Sequence, residues 1–266
     1  MNEGYLETRG IAYRTNEFKD GRPTLLFIHG LSGSLSVWEP FEEKLQDRYN
    51  LVELDLRGHG KSRKYWGYSN YTITAFAEDI EALLTYLSIG TCVLISHSLG
   101  AIVALVFIRA HPEQVSRAIF ISPALGTNGL LLEHLKHPWR LLGVLGAYLL
   151  AIFNVPRRGQ RTDYVRYRAT GDWNAFRAFA DISRMGPLPY FFSLAHLYGF
   201  NDSKWWPAVT MPTLLIHGTA DTMVPAAYAV ALSKKIPIEL VLLPKNHLLP
   251  MNSIDEVTRA IDDFIK

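Results

Sequence analysis

The apolar run Cys92 to Ile95 passes through Ser96-His97-Ser98-Leu99-Gly100 into the helix-like run Ala101 to His111. A corner of this kind admits few folds. Strand and helix crowd together at the turn, so the residues two places before and after its central serine have to be small, as Ser96 and Gly100 are. The turn lifts the Ser98 hydroxyl clear of a sheet and makes Ser98 a candidate nucleophile.

A serine hydroxyl is a poor nucleophile at neutral pH and needs a base to take its proton and an acid group to orient that base. Two further strand ends supply these types. Thr213 to His217 leads into Gly218-Thr219-Ala220-Asp221, and Glu239 to Leu243 leads into Pro244-Lys245-Asn246-His247. His247 is therefore the expected general base and Asp221 its orienting carboxylate. The rival acid is Asp202, and the strand ending at Ser122-Pro123 carries no carboxylate. His29, His59, His97 and His217 sit in or beside strand ends and glycines and are expected to hydrogen-bond locally. His111, His134, His137 and His196 are read as structural.

Near the N-terminus the strand-like Thr24 to Ile28 ends in His29-Gly30-Leu31-Ser32-Gly33, and a later segment reads Asp55-Leu56-Arg57-Gly58-His59-Gly60-Lys61-Ser62. With the Ser98 corner, these motifs give the chain a plain resemblance to serine-dependent α/β-hydrolases of the esterase, lipase and C–C hydrolase type, over nearly its whole length. The order serine, acid, histidine is the one that fold uses. Ser96 stands where the family's motif usually has a first glycine. The resemblance implies an oxyanion hole formed by the main-chain N–H groups of Leu31 and Leu99. It also implies a structural, non-catalytic role for the Asp55 to Ser62 loop. Epoxide hydrolases and haloalkane dehalogenases of the superfamily carry aspartate at the corner, and Ser98 argues against both.

Alternating segments near Tyr5 to Glu7 and Ile11 to Arg14 predict an opening hairpin turning at Arg9-Gly10. Strands near 24–28, 51–55, 92–96, 117–121, 213–217 and 238–242 then alternate with helices near 37–47, 72–88, 99–110, 226–235 and 253–265. The expected fold class is α/β, an α/β-hydrolase fold with a mostly parallel eight-stranded sheet flanked by helices. Between Pro123 and Pro212 that alternation stops. Apolar and aromatic patches at Leu130 to Leu135, Trp139 to Phe153, Trp173 to Asp181 and Phe191 to Tyr198 take its place. Residues 124–206 are read as an inserted helical cap, and residues 1–123 and 207–266 as the core.

At 266 residues and 48% hydrophobic content the chain can bury a large core. A net charge of +2 gives nucleic-acid binding no electrostatic basis. The lone Cys92 lies in an apolar strand and is expected to pack rather than react. No metal cluster and no cofactor are expected. The first eight residues lack the basic start and apolar stretch of a secretory signal, so a cytoplasmic enzyme is the default expectation. Leu141 to Phe153 is short of the roughly 20 apolar residues of a spanning helix and is read as buried or interfacial.

Arg157, Arg158, Arg161, Arg166 and Arg168 are read chiefly as a solvated face of the cap, and the cap aromatics chiefly as packing. The expected activity is hydrolysis of a small hydrophobic carboxylic ester, with acyl or aryl groups, through an acyl-enzyme. C–C bond, lactone and thioester hydrolysis use the same three residues, because this fold hosts many chemistries. A ligand receptor with residual hydrolysis is the reading from a different class.

Overall fold

Unbroken apolar runs become central strands when both faces of a sheet are covered, and this chain has such runs in its middle strands. The computed structural model describes residues 1–126, 142, 145, 146, 149 and 159–266. Its strands are β1 (Asn2–Leu6), β2 (Ile11–Thr15), β3 (Thr24–Ile28), β4 (Asn50–Leu54), β5 (Cys92–His97), β6 (Val115–Ile121), β7 (Thr213–Gly218) and β8 (Glu239–Leu243). They form one sheet in the order β1-β2-β4-β3-β5-β6-β7-β8. The β1-β2 hairpin joins β4 antiparallel, and the remaining pairs are parallel.

Alternate residues of each central strand face opposite sides, and each side has its own core. Leu26, Ile28, Cys92 and Leu94 pack with α2 (Ile73–Tyr86) and α3 (Leu99–Ala110). Leu25, Phe27, Val93 and Ile95 pack on the other face with α1 (Glu39–Leu45) and the C-terminal helix Ile254–Ile265. Cys92 is buried and its thiol is pushed up to about 12 by that burial, the packed state expected of it.

Element ends differ from expectation by a few residues. A short 3-10 turn at Leu35–Trp38 replaces the start of the first predicted helix, and α1 begins only at Glu39, where Pro40 occupies the first turn. β6 begins two residues early because Val115 pairs with Cys92 across an irregular step in the register.

Among the described residues no strand lies between β6 and β7. The aromatic stretches there form α4 (Ala175–Met185) and α5 (Pro187–Gly199). The patch 130–135 lies outside the described residues, as do His134, His137, Arg157 and Arg158. Of 139–153 the described positions are helical, and Leu142, Leu145 and Leu149 are exposed, so of the two expectations for this stretch these side chains do not fit the buried one. No helix among the described residues is long and apolar enough to cross a membrane.

Arg161 departs from the solvated face expected of its cluster. Its Nε donates to Asp55 Oδ2 at 2.8 Å and its Nη1 pairs with Glu3, whereas Arg166 and Arg168 stay exposed. Asp55 also accepts the main-chain N–H groups of Leu35 and Lys61, so one buried carboxylate ties the segment before α4 to two core loops. Arg57 is held by a two-bond pair with the buried Asp79, at 2.6 and 2.7 Å. Both interactions accord with a structural role for this loop.

Candidate catalytic site

β5 ends at His97, α3 starts at Leu99, and Ser98 between them has φ 52° and ψ −115°, a left-handed conformation uncommon outside glycine. The corner is fastened by its neighbours: Ser98 N–H donates to the Ile121 carbonyl, and the Ser98 carbonyl accepts from Ala101 and Ala124. Gly100 is required by close approach, since a Cβ there would stand 2.6 Å from the Ile28 carbonyl oxygen and 2.7 Å from that of His29. Ser96, in the position of the missing first glycine, is fully buried, and its hydroxyl points toward the Ile119 carbonyl at 3.5 Å.

Ser98, Asp221 and His247 lie far apart in the chain and come together at the C-terminal ends of β5, β7 and β8. His247 Nε2 is 3.0 Å from Ser98 Oγ, and His247 Nδ1 is 2.7 Å from Asp221 Oδ2. With the carboxylate as acceptor, Nδ1 carries the ring proton and Nε2 is left to accept from the serine hydroxyl. Asp221 Oδ1 is occupied by the N–H groups of Met223 and Val224, each at 2.8 Å. Asp202, the rival acid, instead accepts from Gly126 N–H and the Trp206 indole.

The electrostatics favour an imidazole that gains a proton readily. Burial alone would push His247 down, but the charge and hydrogen bond of Asp221, aided by Asp172, hold its pKa above the ordinary histidine value. Burial likewise pushes Asp221 up, and the His247 charge and hydrogen bond outweigh it, leaving the carboxyl below its usual range.

His29, His59 and His217 bond to carbonyls of their own loops as expected, and His97 instead reaches across to the histidine loop. His29 Nδ1 donates to the Gly30 carbonyl while its Nε2 accepts from Leu56 N–H. His59 bonds to the Arg57 carbonyl, His97 to that of His247 and His217 to that of Val224. Burial drives the pKa of His29 down to about 4 and those of His59 and His97 down to about 3, so these rings are neutral at physiological pH.

Leu99 opens the first turn of α3, where helix N–H groups point toward Ser98 and favour negative charge. Leu31 lies in the loop after β3, and a Cβ on its neighbour Gly30 would stand 3.1 Å from that of Ser98. A cavity of about 440 Å³ opens over Ser98 and His247, with Leu31, Val37, Ile182, Phe191, Leu194 and Met223 among its walls. Other aromatics of the segment pack instead: Trp206 meets Phe120 edge-on at 4.9 Å and Trp205 stacks on Phe200 at 5.2 Å.

Sequence reasoning missed the three acidic and basic residues on the cavity wall, Asp172, Arg177 and Asp181. Asp172 bonds to both the acid loop and the histidine loop. Arg177 donates to the Asp172 carbonyl. Asp181 is buried, accepts from the Thr162 hydroxyl at 2.8 Å, and is pushed up to about 6 by burial despite Arg177 nearby. Nothing in the sequence set them apart, since the stretch around them is rich in other charged residues such as Asp163, Arg166, Arg168 and Arg184.

A sheet of this topology bearing serine, histidine and carboxylate at its C-terminal edge defines the class. The chain belongs to the family described as alpha/beta hydrolase fold, whose model matches residues 23–252. It is 28% identical, over 93% of its own length and 89% of the relative's, to a 2-(acetamidomethylene)succinate hydrolase of Mesorhizobium japonicum. Its fold is similar to that of a hydrolase from Pseudomonas aeruginosa, with a TM-score of 0.77, 22% identity and coverage of 99% and 98% of the two chains. It is also similar to that of the enol-lactonase from Burkholderia xenovorans, with a TM-score of 0.76, 21% identity and coverage of 96% of each chain.

Proposed function

We propose that this hydrolase is a serine carboxylic ester hydrolase acting on small esters with hydrophobic acyl or aryl groups, through an acyl-enzyme. The observation that carries the reading is the unbroken line from Ser98 Oγ through the His247 ring to Asp221, at 3.0 and 2.7 Å, opening into a largely apolar cavity. About 440 Å³ suits a small-molecule site.

In the first half-reaction Ser98 Oγ attacks the ester carbonyl as its proton passes to His247 Nε2. The tetrahedral oxyanion is taken up by the N–H groups of Leu31 and Leu99. Collapse of the intermediate breaks the bond to the alcohol, which leaves with the proton from His247. Water then attacks the acyl-enzyme, gives its proton to the same nitrogen, and the acid departs as Ser98 is restored. Asp221 stays ionised and balances the transient imidazolium. In this reading residues 124–206 are the cap, and within it Ile182, Phe191 and Leu194 shape the acyl and alcohol pocket.

A second reading keeps the three residues and changes the bond: a lactone, or a C–C bond beside an acidic group. Arg177 favours it, because a guanidinium on the cavity wall gives a substrate carboxylate a partner. The names of the Mesorhizobium relative and of the enol-lactonase point the same way. Turnover of a panel of p-nitrophenyl esters, lactones and a ring-cleavage dienoate by the wild type and by Ser98→Ala tests both. Ester turnover lost in Ser98→Ala is the expected result; ester turnover unchanged in that variant overturns the nucleophile.

A further inference from the structure

Asp172 lies in the segment between β6 and β7, yet it reaches both loops that carry the acid and the base. Its Oδ1 accepts the main-chain N–H of His247 at 2.8 Å, and its Oδ2 accepts the main-chain N–H and the hydroxyl of Thr222, also at 2.8 Å. Thr222 follows Asp221 directly. Three donors on two loops thus converge on one buried carboxylate, and a group with four lone-pair sites in one plane is what such an arrangement needs.

Neighbouring residues make the same crossing. Ala169, in a left-handed conformation at φ 60°, donates its N–H to Asn252 Oδ1, and the Thr170 carbonyl accepts from the side-chain amides of Asn246 and Asn252. Residues 169–172 therefore form a strap over the histidine loop, and Asp172 is the point where the strap also grips the acid loop.

We propose that Asp172 is a positioning residue of the hydrolytic site, holding Asp221 and His247 in register with Ser98 only while the strap is seated. The inference rests on the proposed roles of those three residues. Charge adds a second effect, since the Asp172 carboxylate helps to hold the His247 ring's proton affinity up. The other groups facing that ring are Asp221 from the loop after β7, Arg177 from α4 and the neutral His97 from β5; the neutral His217 acts on it beside Asp221.

The test compares Asp172→Asn, Asp172→Ala and Thr222→Val with the wild type on p-nitrophenyl acetate, alongside proton NMR of the His247 Nδ1–H resonance and its titration. Asparagine keeps one acceptor oxygen and no charge, so it can serve one loop but not both. The expected result is a kcat lower by about 10-fold in Asp172→Asn and about 100-fold in Asp172→Ala, with KM nearly unchanged, as for a small displacement of reacting groups. The acid limb and the ring titration both move to lower pH in the two Asp172 variants, and the Nδ1–H resonance shifts or broadens. Thr222→Val, which loses one bond of the three, shows the smallest effect and keeps the wild-type acid limb. A folded Asp172→Ala enzyme with wild-type kcat, or one whose loss lies in KM with resonance and titration unmoved, overturns the proposal. Labelling of Ser98 by a fluorophosphonate separates the two claims: a wild type that resists labelling removes the hydrolytic reading, while the resonance and titration still report whether Asp172 holds His247.

Discussion

His97 Nε2 donates a hydrogen bond to the main-chain carbonyl of His247 at 3.1 Å, so the residue before the candidate nucleophile holds the backbone of the candidate base. Burial keeps the His97 ring neutral, its pKa driven to about 3, and it acts as a fixed donor across the working pH range. His97→Leu leaves that carbonyl without its donor, with an expected loss of about 1–3 kcal/mol in unfolding free energy. Activity is expected to fall about 10-fold through misplacement of the base, with the acid limb unmoved, as checked by denaturant unfolding and a pH series.

The φ of 52° at Ser98 stores backbone strain that glycine relieves. Ser98→Gly and Ser98→Ala both remove the hydroxyl and are expected to lower turnover by on the order of 10⁵- to 10⁶-fold. They should differ in stability. The glycine variant gives back some of its gain as unfolded-chain entropy, leaving about 1 kcal/mol, or a Tm about 2–4 °C above the alanine variant by calorimetry.

Catalysis as proposed needs His247 with Nε2 unprotonated. The ring's pKa is held above the ordinary histidine value by Asp221 against the opposing effect of burial, so activity is lost as pH falls through that raised value. The half-point of the acid limb of kcat/KM is expected above about pH 6.5. Asp221→Asn removes the main cause of the shift and should move what activity remains toward a more acidic half-point.

Asp181 offers a stability measurement independent of turnover. Burial raises its carboxyl to about 6 from an ordinary 3.8, so the native state disfavours ionisation relative to the unfolded chain. Its contribution is fully present below about pH 4 and is lost as pH rises through about 6. Asp181→Asn, which cannot ionise, is expected to match the wild type near pH 4 and to exceed it by about 2 kcal/mol at pH 8, read from thermal melts at the two values. Equal melting temperatures at pH 8 would argue that Arg177 and Arg184 neutralise the carboxylate fully.

Much of the site was legible because each of Ser98, Asp221 and His247 follows an apolar run, and a parallel sheet brings the ends of such runs to one edge. Ser96 was readable through size alone. Asp172 was not, since its partners Thr222 and His247 lie 50 and 75 residues away and nothing periodic links them. Arg161 could not be told from Arg166 and Arg168 by composition; its difference is the buried Asp55, supplied by a loop more than 100 residues earlier. Strand ends moved by one to three residues because register with a neighbour, as between Val115 and Cys92, decides where pairing begins.

The grip of Asp172 and Arg161 on the core has a consequence for recombination. Exchanging the stretch between β6 and β7 for one from another member of the family transplants more than a pocket wall. Unless the donor stretch carries a carboxylate that meets Thr222 and a cation that meets Asp55, the recipient inherits two orphaned clasps, and chimaeras that ignore them should fail through the host rather than the graft.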